Sequence, residues 1–252
     1  MMQCEKRDVV RCLLFTMIVA LFLLSGCASQ RAWTYKADPY VKDTPVLNKS
    51  VAVPPFADQR ENSNSNCVGL YLIPLMPFGW QDLNTPEGVQ MHINSGLWTF
   101  RPNEDFAKAA AEELNNTSMF KEVFFTHRPS DAELTLKGKI ISTNYDGKII
   151  TYGLSVYGPL LWFIGFPASY VENSLELQLE LVDTKTNEVF WQQSFKRNQN
   201  VTSIMYAMQP DFMYDSLFKE VMKEAIPSLR NKLSSPPAAA SVGPPANLTA
   251  AP

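Results

Sequence analysis

The clearest pattern in the chain is a strict alternation over residues 171–182. Leu175, Leu177, Leu179 and Leu181 fall on one side, and Glu176, Gln178 and Glu180 fall on the other. Period two is the signature of a half-buried strand. Asp183-Thr184-Lys185-Thr186-Asn187 then turns the chain into a second strand over 188–196, with Val189, Trp191 and Phe195 on a shared face. Upstream, 120–126 and 132–144 read as strands, the latter through Leu134, Leu136 and Ile140. Asp146-Gly147 has the chemistry of a hairpin turn. It predicts a strand over 148–157 with Ile150, Tyr152, Leu154 and Val156 on one face. Val51-Ala52-Val53, stopped by Pro54-Pro55, reads as the first strand. Two stretches have helical period instead. Asn103 serves as an N-cap ahead of Glu104 and Asp105, and Phe106, Ala110 and Leu114 form one stripe ending at Asn115-Asn116. A last helix starts near Asp211, with Leu217, Val221 and Ala225 aligned, and Pro227 is expected to end or kink it. Residues 57–102, rich in Asn, Gly and Pro, read as one long loop, a feature that is often functional. The order is strand, long loop, helix, five strands, helix. It predicts an α+β fold (an α/β sandwich), with a mostly antiparallel sheet of about six strands and two helices packed on one face.

The two ends of the chain do not fit this pattern. Leu13–Leu24 is a run of twelve residues interrupted only by Thr16. A spanning helix needs about 20 apolar residues, so the run fits the core of a secretory signal behind Lys6, Arg7 and Arg11. It closes on Leu24-Ser25-Gly26-Cys27, which resembles the bacterial lipobox. That resemblance implies cleavage before Cys27 and attachment of a diacylglycerol and an N-acyl chain to that residue. At ~0.8 kcal/mol per buried methylene, such an anchor holds where one myristoyl chain is marginal. Ala28 and Ser29, rather than Asp, follow the cysteine, and the resemblance then implies the periplasmic face of the outer membrane. At the other end, 234–252 carries no charge, five prolines and no period, which predicts disorder. The expected organisation is a signal over 1–26, a tether over 27–48, a globular domain over 49–233 and a Pro/Ala-rich tail over 234–252.

Charge narrows the partners. The chain has 22 Lys/Arg and 25 Asp/Glu; residues 1–26 take three and two of these, leaving 19 and 23. No basic field is present to attract nucleic acid or acidic head groups. Cys4 and Cys12 leave with the signal and Cys27 takes lipid, so Cys67 has no partner for an internal disulfide. It is expected to be buried, or else paired with another chain.

Two segments break the rule that loops are polar. Val68–Trp80 and Pro159–Pro167 contain no charge, and neither does the interval between Lys148 and Glu172. Gly153, Gly158, Pro159, Gly165 and Pro167 exclude a long helix there. A hairpin of 148–157 with 170–182 and an apolar tip fits better. Such tips must be covered by their own domain, by lipid or by a partner. Leu70, Leu72, Leu75, Phe78 and Trp80 from the first segment are therefore candidate membrane- or partner-contacting residues. Leu161, Trp162, Phe163 and Phe166 from the second join them. The other expectation is that both loops fold over the open sheet face and complete the core.

Catalytic patterns are sparse. The chain contains no P-loop, no dinucleotide-binding glycine pattern and no nucleophile elbow. His92 and His127 have no ligand-spaced companions, so no metal site is expected. Glu176 and Glu180 read as a solvated strand face. Asp58-Gln59-Arg60-Glu61, just after the first strand, is the best polar cluster.

With the lipid assigned, Val51-Ala52-Val53-x-Pro-Phe and the order of elements over 49–233 resemble a group of envelope lipoproteins. The group includes the curli-secretion pore lipoprotein and the activators of penicillin-binding proteins. The resemblance implies a non-catalytic lipid-anchored envelope protein, a scaffold or assembly factor without cofactor beyond the lipid on Cys27. Its partner would be an envelope protein or a second copy of itself. Two alternatives remain: an oligomeric secretion-channel component, and an enzyme or lipid-handling protein using loop 57–66 or an apolar cleft. The chain lacks the long alternating membrane strands that a barrel needs.

Overall fold

The computed structural model describes residues 31–40, 45–88 and 98–234. The signal over 1–26, the lipidation residue Cys27, His92 and nearly all of the predicted C-terminal tail lie outside the described residues.

The body is built on one large mixed sheet of nine strands. The strands of the whole molecule are β1 (Arg31–Ala32), β2 (Leu47–Val53), β3 (Ala57–Asp58), β4 (Asn64–Cys67), β5 (Phe78–Leu83), β6 (Trp98–Thr99), β7 (Phe120–Phe125), β8 (Leu134–Ser142), β9 (Tyr145–Ile150), β10 (Pro167–Asp183) and β11 (Val189–Ile204). The helices are α1 (Pro102–Asn116), the single turn α2 (Pro159–Trp162) and α3 (Tyr214–Ser234). The path across the large sheet is β4-β5-β9-β10-β8-β2-β7, with β11 on β10 and β3 on β8. β1 and β6 form a separate parallel pair.

Three features differ from the sequence-based expectation. First, the sheet has nine strands rather than about six, and although most of its pairings are antiparallel, as expected, three are parallel. β2 runs parallel to both β7 and β8, and β3 runs parallel to β8. Second, the stretch read as one long loop contains β3, β4 and β5, and β4–β5 is a hairpin that widens the sheet along β9. Polar Asn and Ser residues form β4 despite poor strand propensity because the antiparallel ladder to β5 supplies the bonds. Third, Asp146-Gly147 is not a turn. β8 and β9 lie end to end along the same edge of β10, with Ser142 opposite Glu176 and Tyr145 opposite Asn173. Gly147 sits inside the sheet, between Gln81 and Val171. The strand expected to reach 157 stops at Ile150.

β10 keeps its alternation from Ser169 to Leu181, with Val171, Leu175, Leu177, Leu179 and Leu181 buried. That face is covered by α1 and α3. Phe106, Ala110 and Leu114 of α1 and Leu217, Val221 and Ala225 of α3 are all buried, as their spacing predicts. α1 starts two residues earlier than expected. Pro102 is its first residue, where a missing N–H costs nothing, and Arg101 rather than Asn103 is the cap. The Arg101 N–H donates to Asp105 Oδ2 at 2.8 Å. Pro227 does not end α3, which continues to Ser234. Burial of Ile226 and Leu229 on either side of the proline offsets the lost bond. Phe56, after the first strand, lies flat over Gly138, where an added Cβ would come within 2.4 Å of the ring.

Residues 31–40, read as part of the tether, pack along the groove between α1 and α3. The Trp33 N–H donates to Thr99 O at 3.0 Å, and its ring meets Phe100 and Phe106. Tyr35 lies edge-on to Phe218 and donates to the Glu113 carboxylate. Asp38 bonds Lys219 Nζ at 2.7 Å. This strap runs along α1 from Phe106 toward Glu113 and along α3 from Phe218 toward Lys223.

Candidate functional site

Strand register places three connections at one end of the sheet. Phe78 is opposite Ile150, Ile149 is opposite Ser169, and Pro167 is opposite Ile204. The β4–β5 connection, the β9–β10 connection and the exit from β11 therefore emerge side by side. Among the described residues, fifteen large hydrophobics are markedly exposed, and thirteen belong to these three connections. The exposed apolar surface is thus gathered into one tip rather than scattered. Leu75 is 89% exposed, Ile164 and Tyr206 each 70%. No residue between Glu61 and Asp82, between Lys148 and Glu172, or between Arg197 and Asp211 carries a charge.

Backbone and polar groups inside the tip are bonded to one another, which leaves the apolar side chains to face out. The Leu75 N–H donates to Gly153 O at 2.9 Å, and the Thr151 and Tyr152 N–H groups both donate to Pro77 O at 2.9 Å. The Ser155 hydroxyl donates to Leu72 O. Trp162 Nε1 donates to Ile150 O at 2.8 Å, and the Tyr152 hydroxyl to Pro167 O at 2.7 Å. The third connection is tied to the second by the Tyr206 hydroxyl, which donates to Phe163 O at 2.6 Å. Leu75, Tyr152 and Ser155 hold positive φ angles of 71°, 59° and 53°. Such conformations cost free energy and persist where surrounding bonds enforce them. The tip is therefore a built surface.

Of the nine residues singled out from sequence, Leu72, Leu75, Phe163 and Phe166 are exposed at this tip, while Leu70, Phe78, Trp80, Leu161 and Trp162 are half-buried. Neither loop completes the core as a whole. Sequence reading missed the third connection, where Met205, Tyr206 and Met208 are exposed. The available sign was the chargeless interval ending at Asp211. It also placed Leu154 and Val156 in a strand, whereas both are exposed in the tip.

Close packing at the base of the tip depends on Gly79. A Cβ there would lie 1.9 Å from the Val68 carbonyl oxygen, because the short helical turn over 68–72 crosses β5 at this point. Gly79→Ala is expected to cost about 1–3 kcal/mol in urea unfolding of the purified protein. Gly69→Ala, where an added Cβ meets nothing within 4 Å, is expected to leave the midpoint almost unchanged.

The polar cluster after the first strand forms a closed ion-pair network. The Arg60 side chain is 2% exposed. Its Nε donates to Asp58 Oδ1 at 2.9 Å, and one terminal nitrogen donates to Asp58 Oδ2 at 2.6 Å. The other reaches Glu87 Oε2 at 2.9 Å and Thr143 Oγ1 at 2.6 Å. Burial alone would lower the guanidinium pKa, but its bonds to Asp58 and Glu87 hold it above the ordinary value. The Arg60 bonds hold the Asp58 carboxyl below its ordinary value. Every N–H donor of the guanidinium is engaged, which makes Arg60 a structural lock between the first strand's end, Glu87 and β8–β9. Glu61 is exposed beside it. His127 is exposed and rests edge-on against Phe125. Glu176 pairs with Lys196 at 3.4 Å on the strand face, as a solvated position should. Cys67 is half-buried and free. No group of His, Cys, Asp and Glu suited to a metal occurs among the described residues. No described helix is long and apolar enough to cross a membrane.

A cavity of about 340 Å³ opens beside the strap, lined by Trp33, Phe100, Arg101, Glu104, Asp105 and Lys108. Its carboxylates already serve the helix start. Glu104 pairs with Lys108 at 2.8 Å, and Asp105 accepts the capping bond from Arg101.

No family model matches the chain, and no curated protein is significantly similar to it. Among solved structures, a Xanthomonas campestris protein described under the family DUF330 is 12% identical, with a TM-score of 0.45 over 81% of this chain and 97% of that one. A PelC dodecamer from Paraburkholderia phytofirmans is 14% identical, with a TM-score of 0.36 over 78% and 99%. A neuraminyllactose-binding hemagglutinin homolog from Helicobacter pylori is 10% identical, with a TM-score of 0.31 over 80% and 92%. Likenesses this low carry no activity, ligand or assembly over to this chain.

Proposed function

We propose that the protein is a non-catalytic, lipid-anchored envelope protein that uses its apolar tip as a contact surface. The observation that carries this reading is the twelve-residue apolar run closed by Leu24-Ser25-Gly26-Cys27. It fits a lipoprotein signal and is too short to span. The body supports it in two ways. Its best polar cluster is occupied internally by Arg60. Its exposed apolar surface is gathered into one braced, chargeless tip, the arrangement of an interaction site. The outer membrane, periplasmic face, is the location that the Ala28-Ser29 pair favours.

Intact-mass analysis of the natively expressed protein tests the anchor. The expected product begins at Cys27 and carries the mass of a diacylglycerol and an N-acyl chain. Cys27→Ala is expected to abolish palmitate incorporation and shift the protein out of the membrane fraction. A product that retains residues 1–26, or begins at an unmodified Cys27, would overturn the reading.

A further inference from the structure

We infer that the apolar tip is a second membrane contact, seated in the interfacial region of the same leaflet that receives the lipid on Cys27. The inference takes its direction from the anchored reading of Cys27 and its contact chemistry from the tip itself.

The strap sets the direction. From Trp33 to Asp38 it passes from Phe106 to Glu113 on α1, and from Phe218 to Lys219 and Lys223 on α3. α3 itself runs away from the tip. Its early Ser216 bonds Gln199 of β11, near the tip end, and its later Ser228 bonds Trp191, at the far end. Followed backward from Asp38 to Trp33, the chain therefore heads toward the tip.

Chain length then sets the reach. Trp33 packs on Phe100, which stacks on Tyr214, and the Tyr214 hydroxyl donates to Thr143 O at 2.7 Å. Trp33 is thus linked, through Phe100 and Tyr214, to the junction of β8 and β9, where Tyr145 lies opposite Asn173 of β10. From Asn173 to Pro167 is six residues, roughly 20 Å of strand at ~3.3 Å each. From Trp33 back to Cys27 is also six residues, with a reach of about 20 Å. The two spans are of one order, so the chain before Trp33 is long enough to carry a lipid on Cys27 toward the tip end of the sheet.

The tip's chemistry fits that interfacial region. Three chargeless connections meet there, so insertion buries no ion. Aliphatic Leu75, Leu160 and Ile164 are accompanied by the exposed rings of Tyr157 and Tyr206. Aromatic residues with a polar handle favour the membrane–water boundary. Internal bonding of the loop backbone, through Pro77, Gly153 and Ile150, lowers the number of polar groups that would oppose entry.

The test uses the lipidated full-length protein reconstituted in vesicles of phosphatidylethanolamine and phosphatidylglycerol. In a Cys67→Ser background, an environment-sensitive fluorophore is placed by Ile164→Cys or Met208→Cys at the tip, or by Lys185→Cys at the far hairpin. The expected result is a blue shift and loss of iodide quenching at Ile164 and Met208, with the Lys185 probe unchanged. Flotation of the protein with the vesicles reads the anchor separately. Protein that floats while its tip probes stay open to iodide overturns this inference and leaves the anchor standing. Protein that does not float, yet whose tip probes become protected in excess vesicles, keeps the contact and removes the anchor. Tip protection that arises without vesicles and grows with protein concentration would assign the surface to a second copy of the chain and overturn the inference.

Discussion

Arg60→Met is expected to destabilise the protein by about 3 kcal/mol, near the lower end of the cost of removing one partner from a buried ion pair. Three neighbours lose their donor together: Asp58, Glu87 and Thr143. The cost stays near the lower end because the Asp58 side chain is 44% exposed and can recover water. Methionine keeps most of the aliphatic volume, so the loss reports the charge and its bonds rather than a cavity. Urea unfolding at neutral pH reads this directly. The same variant should change the acid limb of stability. In the wild type the Asp58 pKa is depressed by its bonds to Arg60. Its contribution is therefore complete above the ordinary aspartate range and is lost as pH falls through the depressed value. Arg60→Met should lack that part of the acid loss. An unchanged midpoint in urea would show that the network is not a lock, and would reopen the cluster as a site.

The second large effect is expected at Phe106, with a loss of about 3–5 kcal/mol on Phe106→Ala. Phe106 is fully buried. Its ring stacks on Phe218 at 5.1 Å between centroids and meets Phe100 and Trp33 edge-on at 5.4 and 5.7 Å. It is therefore the point where α1, α3 and the strap converge. Truncation should both lower the urea midpoint and release the strap. Limited proteolysis should then cut within residues 31–40 while the sheet remains intact. A midpoint shift without faster cleavage there would mean that the strap is held by Asp38 and Glu113 instead.

How much of this could be read from the chain depends on where each element finds its bonds. The leucine alternation in β10 and the stripes on α1 and α3 are local patterns, and each was buried as its period required. β4 has no such pattern, since Asn64-Ser65-Asn66 become a strand only because β5 lies beside them. Parallel pairing of β2 with β7 and β8 is a property of topology, invisible in any window of sequence. Asp146-Gly147 was misleading because turn chemistry permits a turn without requiring one, and two flanking strands kept the segment extended. The tip was legible in two of its three parts, because a long uncharged apolar run is hard to place elsewhere. Its third part, around Met205–Met208, is short and follows a strand that reaches eight residues beyond its sequence-read end. The bracing of the tip through carbonyl groups of Leu72, Pro77 and Ile150 leaves no trace in residue type.

Returning to β10, its first half pairs with β9 and its second half with β8, so one uninterrupted strand joins the tip to the opposite hairpin. Seventeen residues at ~3.3 Å each give a span of roughly 55 Å. With the tip held at a surface, this strand acts as a ruler. It sets how far the Thr184–Asn187 turn stands off into the surrounding space, and any lean at the base swings that turn through the widest arc.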